Sequence, residues 1–88
     1  MQERDPNLIT SGLSRRVKRD GISVDVKIYR IESEREWALE VINEAGTSIV
    51  WDDLFPSDDA AWRSFSHSLE EDGITSFLDQ ANVIPFRR

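Results

Sequence analysis

The sequence contains no cysteine. That absence removes disulfides and thiolate metal ligands, and it fits a reducing compartment such as the cytoplasm. Histidine is almost missing as well, since His67 is the only one and any imidazole-based catalysis or metal site would have to use it. With three prolines and four glycines, the chain has no linker-like or collagen-like stretch. No run approaches the roughly 20 apolar residues that a membrane span requires. The opening segment, Met1 to Pro6, also lacks an apolar signal core. These absences lead to the expectation of a soluble, cytoplasmic protein with no membrane partner.

Positive charge is scarce over most of the chain. Residues 1–30 carry seven Lys/Arg against four Asp/Glu, whereas residues 31–86 carry two Arg against thirteen acids, and the net charge is −6. An acidic balance of this size opposes general nucleic-acid binding, which depends on cations presented at the contact surface. What remains is a chain of 88 residues, 39% hydrophobic and 32% charged, a composition that folds as one domain with a small core. Residues 1–11 are polar and interrupted by Pro6, so they read as a flexible N-terminus before a single α+β domain over residues 12–88.

Ile22, Val24, Val26 and Ile28 alternate with Ser23, Asp25, Lys27 and Tyr29, the period of a strand with one buried face. Asp20-Gly21 immediately before it is a type I′ turn pair, so Leu13 to Arg19 should return antiparallel. This sets Val17 opposite Val24, Arg16 opposite Asp25 and Leu13 opposite Ile28, with Arg15 and Arg19 pointing coreward and snorkelling. A third strand follows over Glu36 to Asn43. A loop Glu44-Ala45-Gly46 with Gly46 left-handed then leads to a fourth over Thr47 to Asp52, placing Val41 against Ile49. The expected fold is therefore α+β: a four-stranded antiparallel meander with one apolar face, covered by one amphipathic helix.

The helix should start after Ser57, a favourable N-cap, with Asp58 and Asp59 in the first turn where the dipole favours anions. It should run to about Asp72, burying Ala61, Trp62, Phe65 and Leu69. Gly73 would end it in a Schellman motif with Ile74 touching Leu69. Phe77-Leu78 suggests a short C-terminal helical turn, and Val83 to Phe86 an extended apolar tail.

Chemistry-bearing patterns are few. Ser64, His67 and Glu71 lie on one helical strip in the manner of a nucleophile, base and orienter, but an exposed helix face offers neither an oxyanion hole nor a cleft. Asp52, Asp53, Asp58 and Asp59 could offer oxygen ligands to a hard cation, yet they match no calcium-loop spacing. Dipole and loop roles already account for them. Trp37, Trp51 and Trp62 fall on core positions rather than on an open sugar-binding surface. No catalytic residue, cofactor or metal site is expected, and an enzyme is not indicated.

Two surfaces remain. Arg15, Arg16, Lys18 and Arg19 form a basic first strand. Edge protection explains them, and a weak nucleic-acid or phosphate-ligand binder is the alternative, although no aromatic is interleaved for base stacking. The fourth strand, Thr47-Ser48-Ile49-Val50-Trp51, carries no charge, and Tyr29, Ile42 and Val50 lie on the face away from the helix. A protein partner or a second copy could add beside it, unless Asn82 to Phe86 folds back as a fifth strand. The expected role is a small non-enzymatic protein-interaction or regulatory module whose partner is an unknown protein or a second copy in a homodimer.

The segments Asp20-Gly21 through Ile28-Tyr29-Arg30, Trp51-Asp52-Asp53-Leu54-Phe55 and Glu70-Glu71-Asp72-Gly73-Ile74 resemble those of small uncharacterised bacterial proteins of similar length. The resemblance implies one domain in a bacterial cytoplasm and brings no activity, cofactor or site residue with it.

Overall fold

In the computed structural model, which describes residues 7–78, Asp20 and Gly21 both adopt positive φ, 53° and 81°. This is the backbone that a two-residue type I′ turn demands. The turn joins β2 (Arg15–Arg19) to β3 (Ile22–Ile31) with Val17 opposite Val24 and Arg16 opposite Asp25. β4 (Ala38–Ile42) follows antiparallel, with Lys27 opposite Glu40 and Ile28 opposite Leu39. The loop to β5 (Ser48–Val50) turns at Gly46, φ 88°, and sets Val41 against Ile49. Gly46 is needed there because an L side chain is strained at that φ.

The meander is extended by a strand that the sequence reading assigned to a flexible lead-in. β1 (Leu8–Thr10) pairs with the second half of β3, Leu8 opposite Ile31 and Thr10 opposite Tyr29. β1 and β2 therefore share one side of β3 as a broken edge strand. Between them the register shifts by two residues, so Leu13 does not meet Ile28 as expected. Ser11 N–H donates to Ile28 O (2.8 Å) instead, and Ile28 N–H donates to Ser14 Oγ (3.0 Å), the hydroxyl replacing a lost ladder acceptor. Leu13, displaced from the ladder, packs against the core. The remainder of the expected lead-in, residues 1–6, lies outside the described residues.

The helix α1 spans Asp58–Asp72, and Ser57 Oγ accepts from Ala60 N–H (3.0 Å). It covers the sheet's inner face, where Val24, Val26, Ile28, Leu39 and Val41 meet Ala61, Phe65 and Leu69. Its end differs from a Schellman motif: Gly73 has φ 80° and ψ 166°, outside the left-handed helical region, and a 3₁₀ turn follows at Ile74–Phe77. That turn brings Ile74 and Phe77 into the core, and Phe77 stacks on Phe65 at 5.5 Å. Trp51 and Trp62, expected as core residues, are half-buried on its margin. Asn43 is buried. Its Oδ1 accepts from Ala45 and Thr47 N–H, and its Nδ2 donates to Phe77 O, tying the β4–β5 loop to the 3₁₀ turn. No helix among the described residues is long and apolar enough to cross a membrane.

Candidate functional site

With α1 on the inner face, the outer face of the sheet and its two edges are left to act. On β3 and β4 the alternation turns Asp25, Lys27, Tyr29, Glu40 and Ile42 outward, and the β4–β5 register adds Ser48 and Val50. Glu40 stands at the centre. It accepts from Tyr29 Oη (3.2 Å) on one side and from Ser48 Oγ (2.6 Å) on the other, and it lies opposite Val50. Burial, and then the Glu40 carboxylate, push the Tyr29 phenol above its ordinary pKa. Tyr29 and Ile42 are half-buried and Val50 is 54% exposed, so the three expected contact residues ring one carboxylate on one surface. Glu40 was missed by the sequence reading. Its position in β4, two residues before Ile42 on the same face, was the available signal.

Leu8 (59% exposed) and Leu54 (47% exposed) extend the apolar part of this face toward the far ends of β1 and β4. Where the edge strand breaks, a hollow of about 570 Å³ opens beside Leu8, Thr10, Ser14, Lys27 and Tyr29. Its rim carries the side chains of Arg16 and Lys27 against Asp25 and Glu40, a balance that favours neither cations nor anions strongly.

The basic residues of β2 do not form one patch. Arg16 faces outward and donates from Nε to Asp25 Oδ1 (2.8 Å). This bond holds the Asp25 carboxyl below its usual range and raises the Arg16 guanidinium. Arg15 lies on the helix side, its guanidinium 5.2 Å over the Trp62 ring, a cation–π contact that realises the expected snorkelling. Lys18 and Arg19 are exposed, on opposite faces and without an ion pair among the described residues.

At the other side of the sheet, Asn43 N–H donates to Thr47 O and Trp51 N–H donates to Leu39 O. Antiparallel alternation makes Val41 and Ile49 the hydrogen-bonded pair between them, so the N–H and C=O of Ser48 and Val50 point away from β4. No strand among the described residues pairs with that side of β5. The fifth strand expected from Asn82 to Phe86 lies outside the described residues.

The remaining patterns are dispersed. Ser64, His67 and Glu71 share a helix but form no hydrogen bond with one another among the described residues. Asp58 accepts from Ser11 Oγ (2.7 Å), and Asp59 pairs with Arg63 (3.0 Å). No group of three or more His, Asp or Glu among the described residues is arranged to hold a metal ion. Compared with protein-family models, curated proteins and solved structures, the chain gives no match.

Proposed function

We propose that the protein is a small, non-enzymatic protein-interaction module that docks an extended partner strand along β5. The observation that carries this reading is the outward-facing backbone of Ser48 and Val50 beside an exposed valine, with no charged side chain on the strand. Backbone donors and acceptors on an open edge supply affinity by strand addition, and neighbouring side-chain surface supplies selectivity. Tyr29, Ile42 and Val50 furnish that surface, with Glu40 as its polar centre. Bacterial origin and a cytoplasmic setting accompany this proposal.

The alternative, weak phosphate or nucleic-acid binding by β2, has less to work with. Arg16 is engaged by Asp25 and Arg15 by Trp62, which leaves Lys18 and Arg19 on opposite faces. Affinity capture with the native chain and with Val50→Pro separates the readings. Proline removes the outward N–H at a position where the β4 ladder does not use it. Proteins recovered by the native chain and lost with Val50→Pro support docking at β5, whereas equal recovery by both refutes it. Nucleic acid recovered in a salt-sensitive manner would favour β2.

A further inference from the structure

The two edges of the sheet that no strand among the described residues covers are opposite in charge and matched in pattern. β2 has the sequence Arg-Arg-Val-Lys-Arg, and among the described residues it pairs only with β3. Because the two-residue turn makes Arg19 and Ile22 a hydrogen-bonded pair, Val17–Val24 and Arg15–Val26 are hydrogen-bonded too, and the backbone of Arg16 and Lys18 faces outward. β5 likewise turns two residues outward, Ser48 and Val50. It is flanked by carboxylates, with Glu40 beside Ser48 and exposed Asp52 and Asp53 following Trp51 just past the strand.

Like charges set directly across a seam are destabilising. Four cations in five residues therefore oppose pairing of β2 with another β2, and the same cations suit an acidic edge. We propose that the chain associates head to tail, the β5 edge of one copy receiving the β2 edge of a second copy so that the sheet continues from molecule to molecule. This rests on the reading of β5 as a docking edge and assigns its occupant.

The pairing can be written residue by residue. An antiparallel seam with Val50 opposite Arg16 of the second copy places Ile49 opposite Val17 and Ser48 opposite Lys18. Every pair then faces one way: Val50, Ser48, Arg16 and Lys18 lie on the outer faces, while Ile49 and Val17 lie on the inner faces beside the two helices. The second copy's Arg16 arrives on the outer face diagonal to Asp52, and its Lys18 arrives beside the Ser48–Glu40 hydrogen bond. Because the two edges differ, each added copy leaves one of each kind open. The contact is heterologous and extends as a series of species rather than closing as a dimer.

The test uses full-length chains blocked at one edge. Lys18→Pro blocks β2 and Val50→Pro blocks β5, each removing only an outward N–H. In sedimentation over a concentration series at low salt, the native chain should gain mass progressively. Each proline variant alone should stay monomeric, and an equimolar mixture should form a two-chain species. Its affinity should be about tenfold weaker at roughly 0.5 M salt, where screening shortens to about 4 Å. Should either proline variant lose its cooperative melt, Lys18→Glu and Val50→Lys replace the pair, because they keep every backbone donor and set like charges across the seam. A native chain that stays monomeric throughout overturns the proposal. So does self-association of the β2-blocked chain alone, which would show β5 pairing with β5 and leave the docking role of that edge standing. Loss of partner capture in the Val50→Pro experiment concerns β5 alone, so the two failures are distinguishable.

Discussion

Cutting Phe65 back to alanine tests the placement of helix against sheet most directly. The side chain is fully buried and sits between two other rings, 5.4 Å from Trp62 and 5.5 Å from Phe77. Removing a buried phenylalanine costs about 3 to 5 kcal/mol through lost transfer energy and the cavity left behind. Stability of roughly 0.05 to 0.15 kcal/mol per residue gives this chain about 4 to 13 kcal/mol in all, so the variant should be close to unfolding at the lower end. Urea denaturation followed by tryptophan fluorescence reads the loss. With a slope of roughly 1 to 1.5 kcal/mol/M for a domain of this size, the midpoint should fall by about 2 to 5 M. Phe65→Leu restores most of the volume but neither ring contact, and should lose about 1 to 2 kcal/mol. A loss below about 1 kcal/mol for the alanine variant would refute the packing described.

Tyr29 is the only tyrosine, so absorbance at alkaline pH titrates it alone. Its midpoint should lie above 10, and Glu40→Gln should lower it only in part because burial is the larger cause. A group whose folded pKa is raised lends its stability below the unfolded value and loses it as pH rises, so Tyr29→Phe should be the more resistant chain above about pH 10. For Asp25 the sign is reversed. Its folded pKa is lowered from 3.8, so the small advantage over Asp25→Asn should be present above that value and disappear as pH falls below it, as urea midpoints across the acid range will show. Ser14→Ala removes the acceptor of Ile28 N–H while Ser11 still serves Ile28 O. A loss of about 1 to 3 kcal/mol is expected, and unchanged thermal stability would mean that the break in the edge strand tolerates an unpaired donor.

The legible parts of the fold are those where local chemistry and pattern agree. Asp20-Gly21 sets the β2–β3 register, the Val24 to Ile28 alternation sets the inner face, and Ser57 with Gly73 brackets the helix at the expected residues. β1 was not legible, because Leu8 and Ile9 are adjacent apolar residues with no alternating partner, and its pairing depends on a two-residue break whose ladder is completed by the Ser14 hydroxyl. No periodicity encodes a side chain standing in for a carbonyl. The tryptophans were placed on the correct face but too deep, because a single helix leaves the margins of the sheet partly open. At the candidate site, Tyr29, Ile42 and Val50 were placed on one face by alternation alone. The central role of Glu40 needed the hydrogen bonds to Tyr29 and Ser48, which sequence spacing does not reveal.

The ten-residue strand β3 carries a consequence for how the chain reaches its native state. It pairs with β2 across a two-residue turn and with β4 across a short connection, so most of the sheet closes through small loops. Contacts between sequence neighbours form early and favour rapid folding. The links that span the chain, Ser11 to Asp58 and Asn43 to Phe77, would then close after the hairpins have assembled. Substitutions at Val24 or Val41 should slow the refolding rate, whereas removing the Ser11 hydroxyl should accelerate unfolding and leave refolding nearly untouched, a division that stopped-flow kinetics resolves.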